Sequence, residues 1–402
     1  MTDSTKLAID AINRIHDLWM VDKDCVQWVG DASASTLQHQ GFGFNWWPGD
    51  FKVELRVTGP HPELGPEPNY RLTVRTDFLR DADVTRPNFG QYLSHLNKLT
   101  PAFAICAHPA TDAENLAKYE PLREFRLDLK SSKVWLASTA NLHEGVEQWL
   151  PHAFGVLAIL QPVEAQFRAA TMAPLLGGKP DHSRPPTGET PAAMDNLIGV
   201  EQAMLEPHGQ QACRWVGTGE FEAIIAKWGQ SDHGFGLADY MGLTMETPFG
   251  NETAMISLRT DRPHPRLGNG LTVILSLPHT ADESTHALTN RLNYLEDRLL
   301  SKFSTPLIGS WHAVELTGSG FSPEFNFFVP NVLYFPDLAE NLVLYAMARA
   351  KWAREILRPG AVDLPMYEIL EKRFGPIPRK DTRTGVAAGL FSAAKRLLRG
   401  RH

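Results

Sequence analysis

Cysteine is scarce in this chain and its three copies, Cys25, Cys106 and Cys213, lie far apart. With no CxxC pair, neither a disulfide framework nor a thiolate metal site is expected, and a reducing compartment fits best. Long apolar runs are also missing: no window reaches 18 uninterrupted apolar residues, the length a membrane-spanning helix needs. The first residues, Met1-Thr-Asp-Ser-Thr-Lys, have no basic start followed by an apolar stretch, so export is not expected either. Signature motifs are absent in the same way. There is no GxxxxGK[ST] phosphate loop and no GxSxG nucleophile turn, and Asp22-x-Asp24 and Asp81-x-Asp83 lack the other ligands of a calcium loop. His143-Glu144-Gly-Val-Glu147 stops short of a zinc helix because the second histidine is missing. Gly41-Phe42-Gly43 and Gly234-Phe235-Gly236 lack the third glycine and the helix that dinucleotide binding requires, and read instead as bends or bulges in strands. A cytoplasmic protein without catalytic residues, metal or cofactor is expected.

What is present begins with ordinary globular composition: 43% hydrophobic and 21% charged residues, enough to build packed cores over most of the length. At 402 residues the chain exceeds one ordinary core, so two or three domains are expected. The net charge of -7 is uneven. Residues 371–402 hold nine Lys or Arg against two acids, a net of +7, leaving the first 370 residues at -7 - 7 = -14. Nucleic-acid binding needs clustered cations, and an acidic body excludes it there.

The chain repeats itself. Leu55-Arg56, Pro60-His61-Pro62 and Leu64-Gly65 recur without a gap as Leu258-Arg259, Pro263-His264-Pro265 and Leu267-Gly268. Trp28-Val29-Gly30 is matched with Trp215-Val216-Gly217, and Gly41-Phe42-Gly43 with Gly234-Phe235-Gly236. Downstream, Leu72-Thr73-Val74 matches Leu271-Thr272-Val273, and Leu96-Asn97-x-Leu99 matches Leu292-Asn293-x-Leu295. Preserved block order identifies a tandem duplication. We divide the chain into a first repeat (1–173), a Pro/Gly-rich linker (174–191), a second repeat (192–360) and a basic tail (361–402).

Periodicity supplies an element order for each copy. An opening helix is predicted at 5–20 and again from Leu197. Strands follow at 51–57 and 70–76, where Leu72 and Val74 alternate with Arg71, Thr73 and Arg75 as in a sheet with one wet face. Next come helices near 88–99 and 286–300. Late strands are expected at Phe125, Leu127 and Leu129, and at Phe325 and Phe327. Closing helices carry Trp149, Ala153, Val156, Leu160, Val163 and Phe167 in one copy, with Pro151 and Pro162 expected to bend or interrupt it. In the other, Leu338, Leu342, Tyr345, Trp352 and Ile356 form the face between Pro336 and Pro359-Gly360. The fold class is α+β: two tandem copies of a helix, antiparallel sheet, helix unit, expected to pack as a pseudo-dimer.

The segment Phe325-Asn326-Phe327-Phe328-Val329-Pro330-Asn331 running into the helix from Pro336, with a counterpart from Phe125 to Asn141, resembles the type III secretion chaperone-like superfamily, including the YbjN-like proteins. That resemblance implies a homodimer-like arrangement of the copies and a polypeptide partner.

Three groups of residues are candidates for function. The duplicated loop offers Arg56 with His61 and Arg259 with His264 for an anion or for acid–base work; it also reads as a rigid hairpin turn fixed by prolines. Trp46 and Trp47 are either an exposed edge for apolar peptide or a strand end plugging the core. In the tail, Leu390 and Leu397 with Lys395, Arg396 and Arg399 outline a basic amphipathic helix over 386–401, suited to a partner or to weak contact with a membrane surface. The function expected is an adaptor or chaperone-like protein holding a polypeptide on a sheet surface or in the groove between repeats. The alternatives are a small-ligand sensor or enzyme using the Arg/His loops, and a structural subunit of a larger complex.

Overall fold

The computed structural model describes residues 27–29, 39–46, 51–59, 70–100, 102–108, 131–142, 146, 149–182, 211–228, 237–264, 267–278, 284–298, 305–316 and 320–357. The two predicted opening helices, the strand at 125–129 and the tail helix lie outside these residues.

The first unit comprises β1 (Gln27–Val29), β2 (His39–Trp46), β3 (Phe51–Thr58), β4 (Tyr70–Ala82), α1 (Phe89–Leu99), β5 (Ala104–Ala107), β6 (Ser132–Leu142), α2 (Leu150–Leu176) and β7 (Lys179–Pro180). The second comprises α3 (Gly219–Trp228), β8 (Leu237–Asp239), β9 (Gly242–Phe249), β10 (Glu252–Arg259), β11 (Gly270–Ser276), α4 (Thr285–Arg298), β12 (Ser310–Leu316), β13 (Gly320–Pro330) and α5 (Leu338–Ile356). Each unit is one antiparallel sheet. The first runs β1-β2-β3-β4-β6-β5, with β7 added beside β4; the second runs β8-β9-β10-β11-β13-β12. The strand order is the same in both. Fold class and duplication therefore agree with the reading of the sequence.

Register refines that duplication. Leu55 pairs with Val74 as Leu258 pairs with Val273. Gly41 faces Arg56, and the residue facing Arg259 is Gly242, so the repeated glycine of this strand is Gly242 and not Gly234. The β2–β3 ladder is continuous, which replaces the expected bulge. The glycines serve close approach: a Cβ on Gly41 would lie 1.9 Å from the Leu55 carbonyl oxygen, and one on Gly242 1.9 Å from that of Leu258. The tryptophan match also fails. Trp28 lies in β1, whereas Trp215 is a fully buried turn residue preceding α3, a helix the sequence reading missed.

Alternation decides which face of each sheet is covered. Phe51, Val53, Leu55 and Val57 of β3 are at most 1% exposed and lie, with Leu72 and Val74, under α2. In the second unit Ile256, Leu258, Val273 and Leu275 lie on the face that α5 covers. Helix α2 departs from its predicted single seam. From Leu150 to Ala165 every residue but His152 is buried, because the second unit closes on its far side: the His152 ring bonds the Val332 carbonyl at 3.0 Å, and Trp149 packs on Tyr345. Phe167, assigned to the seam, is 63% exposed. Pro151 sits in the first turn, where its missing N–H costs nothing, and the helix continues through Pro162 and Pro174 to Leu176. The start of the expected linker thus belongs to the first unit, and Lys179–Pro180 pair with Arg80 and Leu79.

Between the units, α1 and α4 lie side by side, and each packs on both edge strands, β5 and β12. A pair of backbone hydrogen bonds joins Thr139 to Leu307 across the junction. The duplicated Leu-Asn-x-Leu block acquires a physical role here. The Asn97 amide donates to the Ile105 carbonyl and accepts from its N–H, at 2.9 and 2.7 Å. Asn293 does the same to Trp311, at 2.8 and 2.7 Å. Both side chains are wholly buried, so each helix is clamped to its own edge strand by a satisfied amide.

Candidate functional site

Of the residues singled out in the sequence, Arg56, Arg259 and His264 are each engaged in local contacts. Arg56 projects from the open face of β3 and pairs with Glu54 at 2.7 Å. Arg259 is held by Asp239 at 3.0 Å and Asp261 at 2.5 Å. His264 is a structural residue. Its Nδ1 accepts the Leu267 N–H at 3.0 Å, which assigns the ring proton to Nε2, and Nε2 donates to the Leu99 carbonyl of the first unit at 3.1 Å. Gly268 closes the turn with φ of 69°, and paired backbone bonds link it to His264. The duplicated block is therefore, in its second copy, a turn that docks one unit on the other. His61 lies outside the described residues, as do Trp47 and the tail residues Leu390, Lys395, Arg396, Leu397 and Arg399. Trp46 pairs with Phe51 at the end of β2.

A different cluster sits at the junction, on the face of the first sheet opposite α2. On β4 the alternation that places Leu72 and Val74 inward places Arg71, Thr73 and Arg75 outward; on β6 it places Trp135 and Thr139 there. This face was expected to be wet. Instead the C-terminal end of α4 lies on it, and Arg71 is 5% exposed. The Arg71 guanidinium donates through Nη2 to the Glu296 and Asp297 carbonyls at 2.7 and 2.9 Å, and to Thr139 Oγ1 at 3.0 Å. It caps a helix end from the opposite unit, where free carbonyls and the helix dipole both favour a cation. Burial pulls its pKa down to about 10, which still leaves it protonated at neutral pH.

Asp297 is the centre of the cluster. Its Oδ2 accepts from Arg75 at 2.7 Å and from the Trp135 indole N–H at 3.0 Å, with Arg298 at 3.5 Å. Burial opposes its ionisation, but the charges of Arg75, Arg298 and Arg71 and the Trp135 N–H outweigh it and hold the carboxyl below its ordinary range. Behind it, Glu296 receives a forked pair from the fully buried Arg349, at 2.8 to 3.0 Å, and the Trp311 indole N–H at 2.6 Å. Arg349 in turn stacks 3.8 Å from the Phe325 ring centre and bonds the Pro306 carbonyl.

In front of Asp297 the two units leave a groove of about 270 Å³, lined by Arg75, Asp77, Lys133 and Trp135, by His108 and Ser131–Ser132, and by Arg298 from the second unit. Trp135 is its floor. Arg75 and Arg298 lie over the indole, 5.4 and 4.8 Å from its centre, and His108 packs against Trp135 and Tyr294. Lys133, at the outer end, is shared by Asp77 and Asp181. Burial, then the charges of Arg298 and Arg75, push His108 down to about 4, so its ring is neutral at physiological pH. Several buried polar atoms here lack hydrogen bonds: Arg75 Nε, His108 Nδ1 and Asp297 Oδ1. The neighbouring Cys106 thiol is pushed well up by burial and by Asp297, which makes it a poor nucleophile.

Among the described residues the second unit has no such cluster. Register puts Gly270 where Arg71 stands, Ile274 for Arg75, Glu324 for Trp135 and Phe328 for Thr139. No group of His, Cys, Asp or Glu able to hold a metal ion occurs among the described residues. Comparison with protein-family models, with curated proteins and with solved structures finds no match. Nor is any helix among the described residues long and apolar enough to cross a membrane.

Proposed function

We propose that this chain is a non-enzymatic binding protein in which two α+β units, fused as a pseudo-dimer, hold a partner in the groove between them. One observation carries the reading: the groove sets Arg298 of the second unit among charged and aromatic side chains of the first, several with unspent hydrogen-bonding capacity, and the matching register positions of the second unit do not repeat it. Features needed for folding, such as the Asn97 and Asn293 clamps, are present twice, so a cluster present once calls for a separate explanation. The arrangement suits binding better than turnover, because the junction pairs its acids with cations and has no activated nucleophile. A sensor or enzyme built on the Arg/His loops has less support, since Arg259 and His264 are each engaged in local structure.

A polypeptide partner, implied by the resemblance to secretion chaperones, is favoured by a second surface, the half-exposed face of β9 and β10 with Thr244, Glu246, Met255 and Ser257. The acidic body argues against nucleic acid. The buried, unpaired thiols Cys106 and Cys213 suit the cytoplasm, the location we infer. Native mass spectrometry of the full chain purified without denaturation from its own cell tests the groove reading. A species carried by the wild type and lost from Arg298→Ala is expected; identical spectra for the two would overturn it.

A further inference from the structure

We propose that the groove between the units is a site for a small oxyanion, a phosphate- or carboxylate-bearing metabolite, with Arg75 and Arg298 as its charge partners and Trp135 as its floor. This deepens the reading of the groove as the binding site and rests on it.

The charge balance at the inner end points to an anion. Two guanidinium groups, Arg75 and Arg298, face the single carboxylate of Asp297, and a third, Arg71, binds its backbone carbonyl. Arg71 is engaged by helix carbonyls and Thr139, whereas Arg75 and Arg298 keep 28% and 40% of their side-chain surface exposed. Outside them Lys133 is outnumbered by Asp77 and Asp181, so the excess of positive charge is confined to the inner end, beside Trp135. Both guanidinium groups lie over the indole, and a guanidinium presents planar N–H groups of the kind that recognise phosphate and carboxylate. Arg75 Nε is buried with no acceptor, a state costing about 1–3 kcal/mol that an anion's oxygen would relieve. His108 Nδ1, likewise buried and unpartnered, adds a neutral group to the lining. Size limits the ligand. The groove of about 270 Å³ falls just below the range of sites for drug-sized molecules, and Arg75, Arg298 and His108 already surround the indole. A phosphate, a diphosphate or a small polycarboxylate fits this description better than a nucleotide.

Titration calorimetry of the full chain at pH 7 with inorganic phosphate, pyrophosphate and citrate, and with glycerol as a neutral control, tests the proposal. One or more anions should bind saturably at one site, and which of them does distinguishes phosphate from carboxylate chemistry. Arg298→Ala should weaken binding at least tenfold, while Arg259→Ala, altering a half-buried arginine of the repeat that does not line the groove, leaves it unchanged. The His108 ring resonances give a second readout. A bound anion offsets the repulsion from Arg298 and Arg75, so the midpoint of His108 should rise from about 4 on saturation. The proposal is overturned if no anion binds at concentrations up to about 10 mM, if Arg298→Ala binds as well as wild type, or if His108 does not respond. A neutral or cationic species found in the groove by native mass spectrometry would remove the anion and leave the groove reading standing.

Discussion

At the scale of single residues, the junction depends on polar groups that are buried and satisfied. Asn97 and Asn293 each tie both backbone groups of one edge-strand residue, and truncation leaves a buried N–H and C=O unpaired. Asn97→Ala and Asn293→Ala should therefore each cost about 2–4 kcal/mol, read as a shift in urea midpoint. Removing the carboxylate of Glu296 exposes Arg349 as a lone buried charge; Glu296→Ala should cost about 3–5 kcal/mol by the same measurement. His108 gives the protein a pH dependence whose sign is set by its neutral folded form. The unfolded ring takes a proton near pH 6.5 and the folded ring only near 4, so the stability it contributes is complete above 6.5 and lost as pH falls toward 4. The loss should be on the order of 2 kcal/mol, and His108→Phe, which keeps an aromatic ring packed edge-on against Trp135 and tilted against Tyr294, should flatten that part of the stability profile.

At the scale of elements, the tightest constraint is the approach of β2 to β3 and of β9 to β10. Gly41→Ala and Gly242→Ala would drive a methyl group into a carbonyl oxygen of the neighbouring strand, so both variants should lose several kcal/mol or fail to fold. Gly219→Ala is the contrasting case: it opens α3 with free space around its Cα and should be neutral or slightly stabilising. Thermal melts of the three variants separate these outcomes. The long helix α2 illustrates how context overrides a local signal. Its apolar spacing suggested one face, yet the second unit covers the other side as well, and Pro162 is accommodated inside the continuous helix.

At the scale of the whole molecule, the units share rather than merely touch their interiors. Ser310 of the second donates to the Asn97 carbonyl of the first, the Ala313 N–H bonds Ser94, and Arg71 caps α4. Such interlocking predicts a single cooperative transition. Calorimetry of the full chain should give one peak with agreeing calorimetric and van't Hoff enthalpies; two resolved peaks would show that each unit is stable by itself.

Much of this architecture was legible in the residues. Duplication, antiparallel strands at Leu72–Val74 and Leu271–Val273, the helices closing each unit and the α+β class all follow from short-range patterns, because helix and strand periodicities and repeated blocks are local properties. The same local reading misplaced Gly234 for Gly242, since only cross-strand register identifies the residue facing Arg259. It also took Arg71 and Arg75 for a solvated face. Alternation separates the two faces of a strand but carries no information about what lies on either, and here the covering element, the end of α4, is contributed by residues more than two hundred positions away. The sequence by itself determined that two similar sheets would form. Only the tertiary structure decided that their junction would bury an aspartate among three arginines, because that cluster arises from side chains of both units and exists in neither alone.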